Sequence, residues 1–394
     1  MLAKVKNLCK ILIILFVLCL TNKIIAQDDQ MTDSSSNQQP TFSLRGYVKD
    51  LPSMEYNNIT KNAGFNNVLQ NRLNFAYKNN SLHLAFELRN RWLMGEMVSQ
   101  HSELLTDLMK KDNGFINASF VPYSSDKMIW HLNPDRFFID LQKNKWQVRL
   151  GRQRINWGVN LVSNPNDLFN TFSFFDFDYE ERPGSDALRL QYYRNELSRI
   201  ELAVAPQKEV KNSVAAMMFA FNKYACDFQI ITGYYRHKTA LGTAWAGNIK
   251  SSGFKGEMTL FNNIDHPDSM SFVASVCLDH LFSNGIYTFV EVLYNGGYQK
   301  GSNLLTLDQP MSADNIFISK YAVTTSLMYP ISPVLNTSLT FLFMPDIKAF
   351  YLMPNIGFSL ATNLDLALVA QYFYFNEDML LKQLSVFLQT KWSF

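Results

Sequence analysis

From Thr41 to the end of the chain, apolar and polar residues alternate with a period of two in one segment after another. That repetition restricts the chain to strands with one apolar and one polar face. In 82–92, Leu82, Leu84, Phe86 and Leu88 share one side, and His83, Glu87, Arg89 and Arg91 share the other. Phe42, Leu44 and Val48 oppose Ser43, Arg45 and Lys49, and Leu73, Phe75 and Tyr77 oppose Arg72 and Asn74. Ile200, Leu202 and Val204 oppose Arg199 and Glu201, and Leu384, Val386 and Leu388 oppose Gln383, Ser385 and Gln389. A soluble β-sandwich alternates too, so the pattern alone leaves two architectures open.

Three features favour a barrel that crosses a membrane. Lys4, Lys6 and Lys10 precede the apolar run Ile11–Leu20, and Ile24-Ile25-Ala26 follows before Gln27. This order is that of an export signal cleaved after Ala26, and the run of about ten residues is too short to span a bilayer as a helix. The strands are of the length needed to cross at a tilt, about 9–11 residues. Aromatics such as Trp92, Tyr192, Tyr234, Tyr294, Tyr372 and Tyr374 crowd their ends, as in interfacial girdles.

The reading is therefore all-β: a transmembrane antiparallel up-and-down β-barrel over 41–394, after a signal peptide at 1–26 and a polar, flexible leader at 27–40. Eighteen strands fit, beginning at 42–49, 67–78 and 81–93 and ending at 364–375 and 382–393, with sixteen as the alternative count. Every second connection is short, as at Asn79-Asn80, Lys143-Asn144, Asn195-Glu196, Lys223-Tyr224 and Thr362-Asn363. Short periplasmic turns with longer external loops are the outer-membrane rule, which places the chain in the outer membrane of a Gram-negative bacterium. The chain ends Trp392-Ser393-Phe394, an aromatic terminus of the kind that barrel-assembly machinery reads.

Composition removes other classes. A mean hydropathy of −0.10 over 394 residues excludes a bundle of transmembrane helices, and 18 Tyr with 31 Phe exclude a disordered chain. A formal charge of +2, which loses Lys4, Lys6, Lys10 and Lys23 on cleavage, gives no case for a nucleic-acid partner. No nucleotide-, metal- or nucleophile-bearing motif occurs, so no catalytic residue, cofactor or metal is assigned and no enzyme is expected. Cys226 and Cys277 fall on opposite faces of their strands, which argues against a disulfide. A plug-bearing energised receptor is not expected either, since so few residues precede the first strand.

Three external connections read as long: 50–66; 94–133, with a helix candidate in HSELLTDLMKK; and 155–185. The third carries Trp157, Leu168, Phe169, Phe172, Phe174, Phe175, Phe177 and Tyr179, too much apolar surface to remain in water. We expect it to fold into the lumen as a constriction, the alternative being an external cap on neighbouring loops. Its acids, Asp167, Asp176, Asp178, Glu180 and Glu181, outnumber Arg182. Across the lumen the polar parity carries Arg45, Arg72, Arg89, Arg91, Arg136, Arg149, Arg189 and Arg199, against Glu87, Asp140 and Glu201. Such a wall would favour anions mildly, unless these arginines simply pair with the wall's own acids. The Asp176–Glu181 cluster could hold Ca²⁺, but it lacks the spacing and glycine of a calcium loop. Arg152 and Arg154 share the parity of Trp146, Val148 and Leu150, where a lipid-facing Arg costs about 2–4 kcal/mol. Either they lie above the hydrocarbon band or a bulge turns them inward towards the loop acids, which is the arrangement expected here.

The stretch GRQRINWGVNLVSNPNDLFNTFSFFDFDYEERPGSDALRLQYY, Gly151 to Tyr193, resembles a signature of porin-like outer-membrane proteins of Bacteroidota-type bacteria. Its Arg152–Gly158 piece is distantly similar to one in larger porin-type families. The resemblance implies an outer-membrane barrel that serves as a channel; in outer-membrane lipid, with a charged lumen, passive diffusion of small polar solutes is the function expected of it. It implies no substrate and no catalytic residue. A structural, adhesion or secretion-accessory barrel that conducts nothing is the alternative.

Overall fold

In a computed structural model the protein is described over residues 40–59, 61, 63–112, 114–170, 184–299, 311–376 and 380–394. Nineteen strands form one antiparallel sheet: β1 (Thr41–Asn57), β2 (Ala63–Lys78), β3 (Leu82–Gly95), β4 (Phe120–Ser124), β5 (Met128–Lys143), β6 (Trp146–Gln153), β7 (Ser185–Asn195), β8 (Ser198–Ala205), β9 (Val214–Lys223), β10 (Cys226–Tyr235), β11 (Lys238–Ile249), β12 (Ser252–Asn263), β13 (Met270–Leu281), β14 (Tyr287–Asn295), β15 (Tyr321–Ser332), β16 (Leu335–Met344), β17 (Ala349–Ala361), β18 (Leu364–Asn376) and β19 (Leu380–Ser393). Eighteen of them close a barrel, each paired with its neighbours in sequence order, and β4 is an extra strand beside the start of β5.

Closure is made by β1 and β19, in register from Tyr47–Ser393 to Asn57–Gln383. Phe394 extends it, exchanging two backbone hydrogen bonds of 2.9 Å with Gly46. A side chain at 46 would meet the Phe394 ring at 2.9 Å and the Arg72 carbonyl at 2.2 Å, so only glycine lets this seam close.

The alternation sets the two faces. Leu150, Leu188, Leu241, Leu278, Val292 and Leu368 are exposed on the outside, while charged and small residues of the opposite parity point inward. At one rim the connections are short, and several close with residues in the left-handed region: Asn144 (φ 53°), Tyr224 and Ala225 (φ 58° and 57°), and Asn363 (φ 70°).

At the other rim the connections differ in length from expectation. The first is much shorter than 50–66, because β1 runs through Pro52 to Asn57 and β2 starts at Ala63. Proline lacks one donor, and the ladder to β19 skips Leu51 and Pro52 before resuming at Ser53, so the strand continues at small cost. Similarly, β11 begins at Lys238, leaving only Arg236 and His237 (φ 46° and 66°) as the turn from β10. The helix expected near HSELLTDLMKK is α1 (Glu96–Lys110), which starts earlier and kinks at His101. The expected signal peptide, the expected leader up to residue 39 and residues 171–183 lie outside the described residues.

Candidate functional site

Eight arginines were expected on the inner wall. Arg72 and Arg89 are buried side by side on paired strands, and both meet Asp135, at 2.5 and 2.9 Å. Arg72 also meets Glu87 at 2.6 Å, and Arg136 lies 3.5 Å from Glu87. Arg149 pairs with Asp140 and lies over the Phe138 ring. Arg189 binds Glu201 through two bonds of 2.6 and 2.8 Å, and Arg199 approaches the same carboxylate at 3.7 Å. Arg91 contacts His131 Nδ1 at 3.0 Å, and Arg45 is exposed near the short-turn rim. The wall is thus laced by its own acids.

One of those acids, Asp135, was invisible to parity. The β3–β5 ladder shifts register between Glu87 and Leu88, which pair with Arg136 and Pro134, so that Asp135, just after Pro134, is the extra residue. The bulge brings Asp135 in beside Arg72 and Arg89, while Arg136 still reaches Glu87. A proline inside an alternating segment is the sequence signal for such a bulge.

No bulge turns Arg152 inward. The β5–β6 and β6–β7 ladders run without a shift through Arg152, opposite Phe137 and Asp186. Arg152 keeps the outward parity of Leu150, yet it is only 3% exposed. It binds Asp186 at 2.7 and 3.0 Å, Asp112 at 2.7 Å and the Ile116 carbonyl at 2.7 Å. The second long connection therefore covers and neutralises it, which removes the lipid-exposure penalty without changing register.

The described part of the third loop, 155–170, lies against the inner wall rather than over the rim. Ile155, Trp157, Asn166, Asp167 and Leu168 are buried. Trp157 Nε1 donates to Glu201 at 2.6 Å. Glu257 on β12 accepts the backbone N–H groups of Val159 (3.1 Å), Asn160 (2.9 Å) and Asn166 (3.0 Å). Glu291 on β14 accepts those of Val162 (3.0 Å) and Ser163 (2.5 Å). Between these strands, Ser275 on β13 receives Asn160 Nδ2 at 2.5 Å and donates to the Ser163 carbonyl at 2.8 Å. Thr259 donates to Asn166 Oδ1 at 2.6 Å, and Asn166 Nδ2 reaches the Thr243 carbonyl at 3.1 Å.

Small residues make room for this contact. Ala187, Ala203, Ala205, Ala216 and Ala240 form one buried cluster with Ile155, Trp157 and Leu168. Gly242 lies so close that a side chain there would stand 2.7 Å from Asn166 Oδ1. A facing acidic loop and basic wall are not what the described half of the loop shows: it meets wall carboxylates, and Asp186 is engaged with Arg152 on the outer parity. Asp176, Asp178, Glu180, Glu181 and Arg182 lie outside the described residues.

A second segment, between β14 and β15, also turns inward. The backbone N–H of Ala313 donates to the Tyr235 hydroxyl at 2.9 Å, and Asn295 Nδ2 donates to the Phe317 and Ser319 carbonyls at 2.8 and 3.1 Å. Ala313, Ile316 and Phe317 pack with Tyr235, Phe261, Leu293, Leu342 and Met344 in an apolar core on the inside of the barrel. Sequence reasoning missed it because 311–319 has no periodicity, and its anchor, Asn295, looks like a strand-terminal polar residue.

No protein-family model matches this chain, and no curated protein matches it in sequence. Solved structures do match in shape. The outer membrane protein OpdK of Pseudomonas aeruginosa is similar over 89% of this chain and 99% of its own, with a TM-score of 0.55 and 6% identity. OccAB2 of Acinetobacter baumannii covers 89% and 98%, with a TM-score of 0.53 and 9% identity. OccD3 (OpdP) of Pseudomonas aeruginosa covers 89% and 91%, at 0.51 and 6%. At such identities the likeness is one of fold: this chain shares the closed antiparallel eighteen-stranded barrel of those proteins.

Proposed function

We propose that the protein is an outer-membrane porin-like channel for passive diffusion of small polar solutes, with mild anion preference and no enzymatic activity. The observation that carries it is the closed barrel, apolar outside and charged inside, with a loop seated across its inner wall at 155–170. Eighteen strands are enough to enclose an aqueous channel, whereas about eight are filled by their own side chains. In this reading residues 155–185 form the constriction, and the wall arginines line the path at Arg136, Arg149, Arg189 and Arg199, which keep part of their surface accessible. The ion pairs in the wall keep the preference for anions small. Export with cleavage after Ala26, outer-membrane lipid around the barrel, recognition of the strand ending at Phe394 by assembly machinery, and kinship with the Bacteroidota-type proteins through 151–193 belong to the same proposal.

Planar-bilayer conductance with a reversal-potential measurement tests it. Discrete single-channel currents are expected, and removing 165–180 should raise conductance and admit larger sugars into liposomes. A folded barrel that carries no current would overturn the reading. The apolar core between 311–319 and the inner wall favours a second reading, a barrel that serves structure, adhesion or secretion without conducting.

A further inference from the structure

We propose that Glu257 and Glu291 are the positioning residues of the constriction, two inner-wall carboxylates that hold the 155–170 loop across the lumen by its backbone. The proposal rests on the channel reading above and goes beyond it by assigning what fixes the channel's width.

The two residues differ from every other inner-wall acid discussed so far. Glu87, Asp135, Asp140 and Glu201 each neutralise an arginine of the wall. Among the described residues, Glu257 and Glu291 have no ion-pair partner, although they are 0% and 1% exposed. What surrounds them instead is loop backbone. The oxygens of Glu257 receive three N–H groups from the two sides of the Asn160–Asn166 bend, and those of Glu291 receive the two N–H groups between them. A carboxylate accepts through both oxygens and donates nothing, so it satisfies several backbone donors at once without needing one of its own.

The loop residues that supply these donors have no strand partner to use them. Buried N–H groups left unpaired would disfavour the seated loop, so the loop can lie here only because the wall offers acceptors at these points. Ser275, midway between the two on β13, adds a two-way contact to Asn160 and Ser163. The pair therefore grips the loop at positions two strands apart, enough to fix its orientation as well as its depth.

An amide in place of the carboxylate tests the idea, because Gln presents an NH₂ group to a backbone N–H where Glu presents an oxygen. Glu257→Gln with Glu291→Gln should leave the barrel folded and raise single-channel conductance by about two-fold or more, with added open-channel noise. Glu257→Asp with Glu291→Asp, which keeps both carboxylates, should recover much of the wild-type behaviour. A disulfide between Asn160→Cys and Ser275→Cys, in a background with Cys226→Ser and Cys277→Ser, should restore narrow, quiet conductance to the double Gln variant when oxidised and lose it again on reduction. Wild-type conductance and noise in the folded double Gln variant would overturn the proposal, as would a raised conductance that the oxidised disulfide leaves unchanged. If the unmodified protein carries no current, the channel reading fails by itself. The anchoring is then read from protease cleavage within 155–170, which the double Gln variant should permit and the wild type resist; equal resistance in both would overturn it. Should the double Gln variant not fold, rapid formation of the 160–275 disulfide in the otherwise wild-type wall supports a seated loop, and failure to form it counts against one.

Discussion

The inner wall has two arcs. From β1 to β8 it carries Lys49, Arg72, Arg89, Asp135, Asp140, Arg149, Arg189 and Glu201, and its ion pairs run from side chain to side chain within the wall. From β9 to β17 it carries Ala216, Met218, Ala240, Gly242, Phe261, Val273, Leu293 and Leu342; Asp279 pairs with Lys255 within the wall, whereas Glu257 and Glu291 face loop backbone. The strands are alike in their antiparallel pairing. What differs is what fills the volume in front of them. Where loops 155–170 and 311–319 come inward, small and apolar side chains make contact with them. Between β1 and β8 the wall's long cations and acids satisfy each other. Asp135 and Asp140 are ion-pair partners and Glu257 and Glu291 are backbone acceptors, so the role of a carboxylate follows from its surroundings rather than from its identity.

The largest effect should come from breaking the charged arc at its buried node. Asp135→Ala leaves Arg72 and Arg89 together without the carboxylate they share, and removing one partner of a buried ion cluster costs about 3–5 kcal/mol. Urea titration of folding into detergent or lipid should show that loss. A change well below it would mean that water reaches this cluster and that the arc is less buried than the structure indicates.

The apolar arc is probed by volume. Gly242→Ala places a methyl group against Asn166 Oδ1, and overpacking of this kind costs about 1–3 kcal/mol. Either stability falls in the same titration, or the loop shifts and conductance changes with stability retained. An unaltered protein in both measurements would separate the loop from this arc.

A smaller effect is expected from thinning the charged arc. Arg136→Gln with Arg199→Gln, two wall arginines that keep part of their surface accessible, should move the reversal potential towards cations, and more strongly at low salt, since a Debye length of about 8 Å at physiological strength screens the wall. A wild-type channel that already prefers cations at low salt would reverse the charge assignment.

The smallest effect lies outside both arcs, at the long-loop rim. The His237 ring nitrogen, 2.7 Å from Asp265, holds that carboxyl below its ordinary range. A depressed carboxyl contributes stability above its unfolded value near 4, and the contribution disappears as pH falls through the folded value. Asp265→Asn should therefore be slightly less stable than wild type at neutral pH and equal to it in strong acid. Because the pair is exposed, its effect should be far below that of Asp135→Ala in the same titration.

Much of this was readable from residues alone. A strand shows its two faces in every second residue, so Leu150 outside and Arg149 inside needed no tertiary information. The count of strands followed from turns such as Lys143-Asn144 and Thr362-Asn363, which lie within a residue of the observed ones and include asparagines that tolerate tight reversals. The arginines of the wall were legible for the same reason. Their partners were legible only in part: Glu87, Asp140 and Glu201 share the parity, whereas Asp135 is brought in by a register shift beside Pro134.

The burial of Arg152 was out of reach as well. Its parity reads as lipid-facing, and the covering residues, Asp112 and Ile116, come from a connection about forty positions away in sequence. Glu257 and Glu291 illustrate the same boundary. Alternation assigns both to the inside of the barrel, because face is a local property of a strand. That they receive the backbone of residues 159–166 is decided by which volume the loop occupies, and no period in the sequence encodes a contact between segments some 90 to 130 residues apart. The chain's pattern thus determined the barrel and the inward or outward sense of each strand residue, while tertiary packing decided which inward residues hold each other and which hold the loop, since pairing inside a closed wall depends on what enters it.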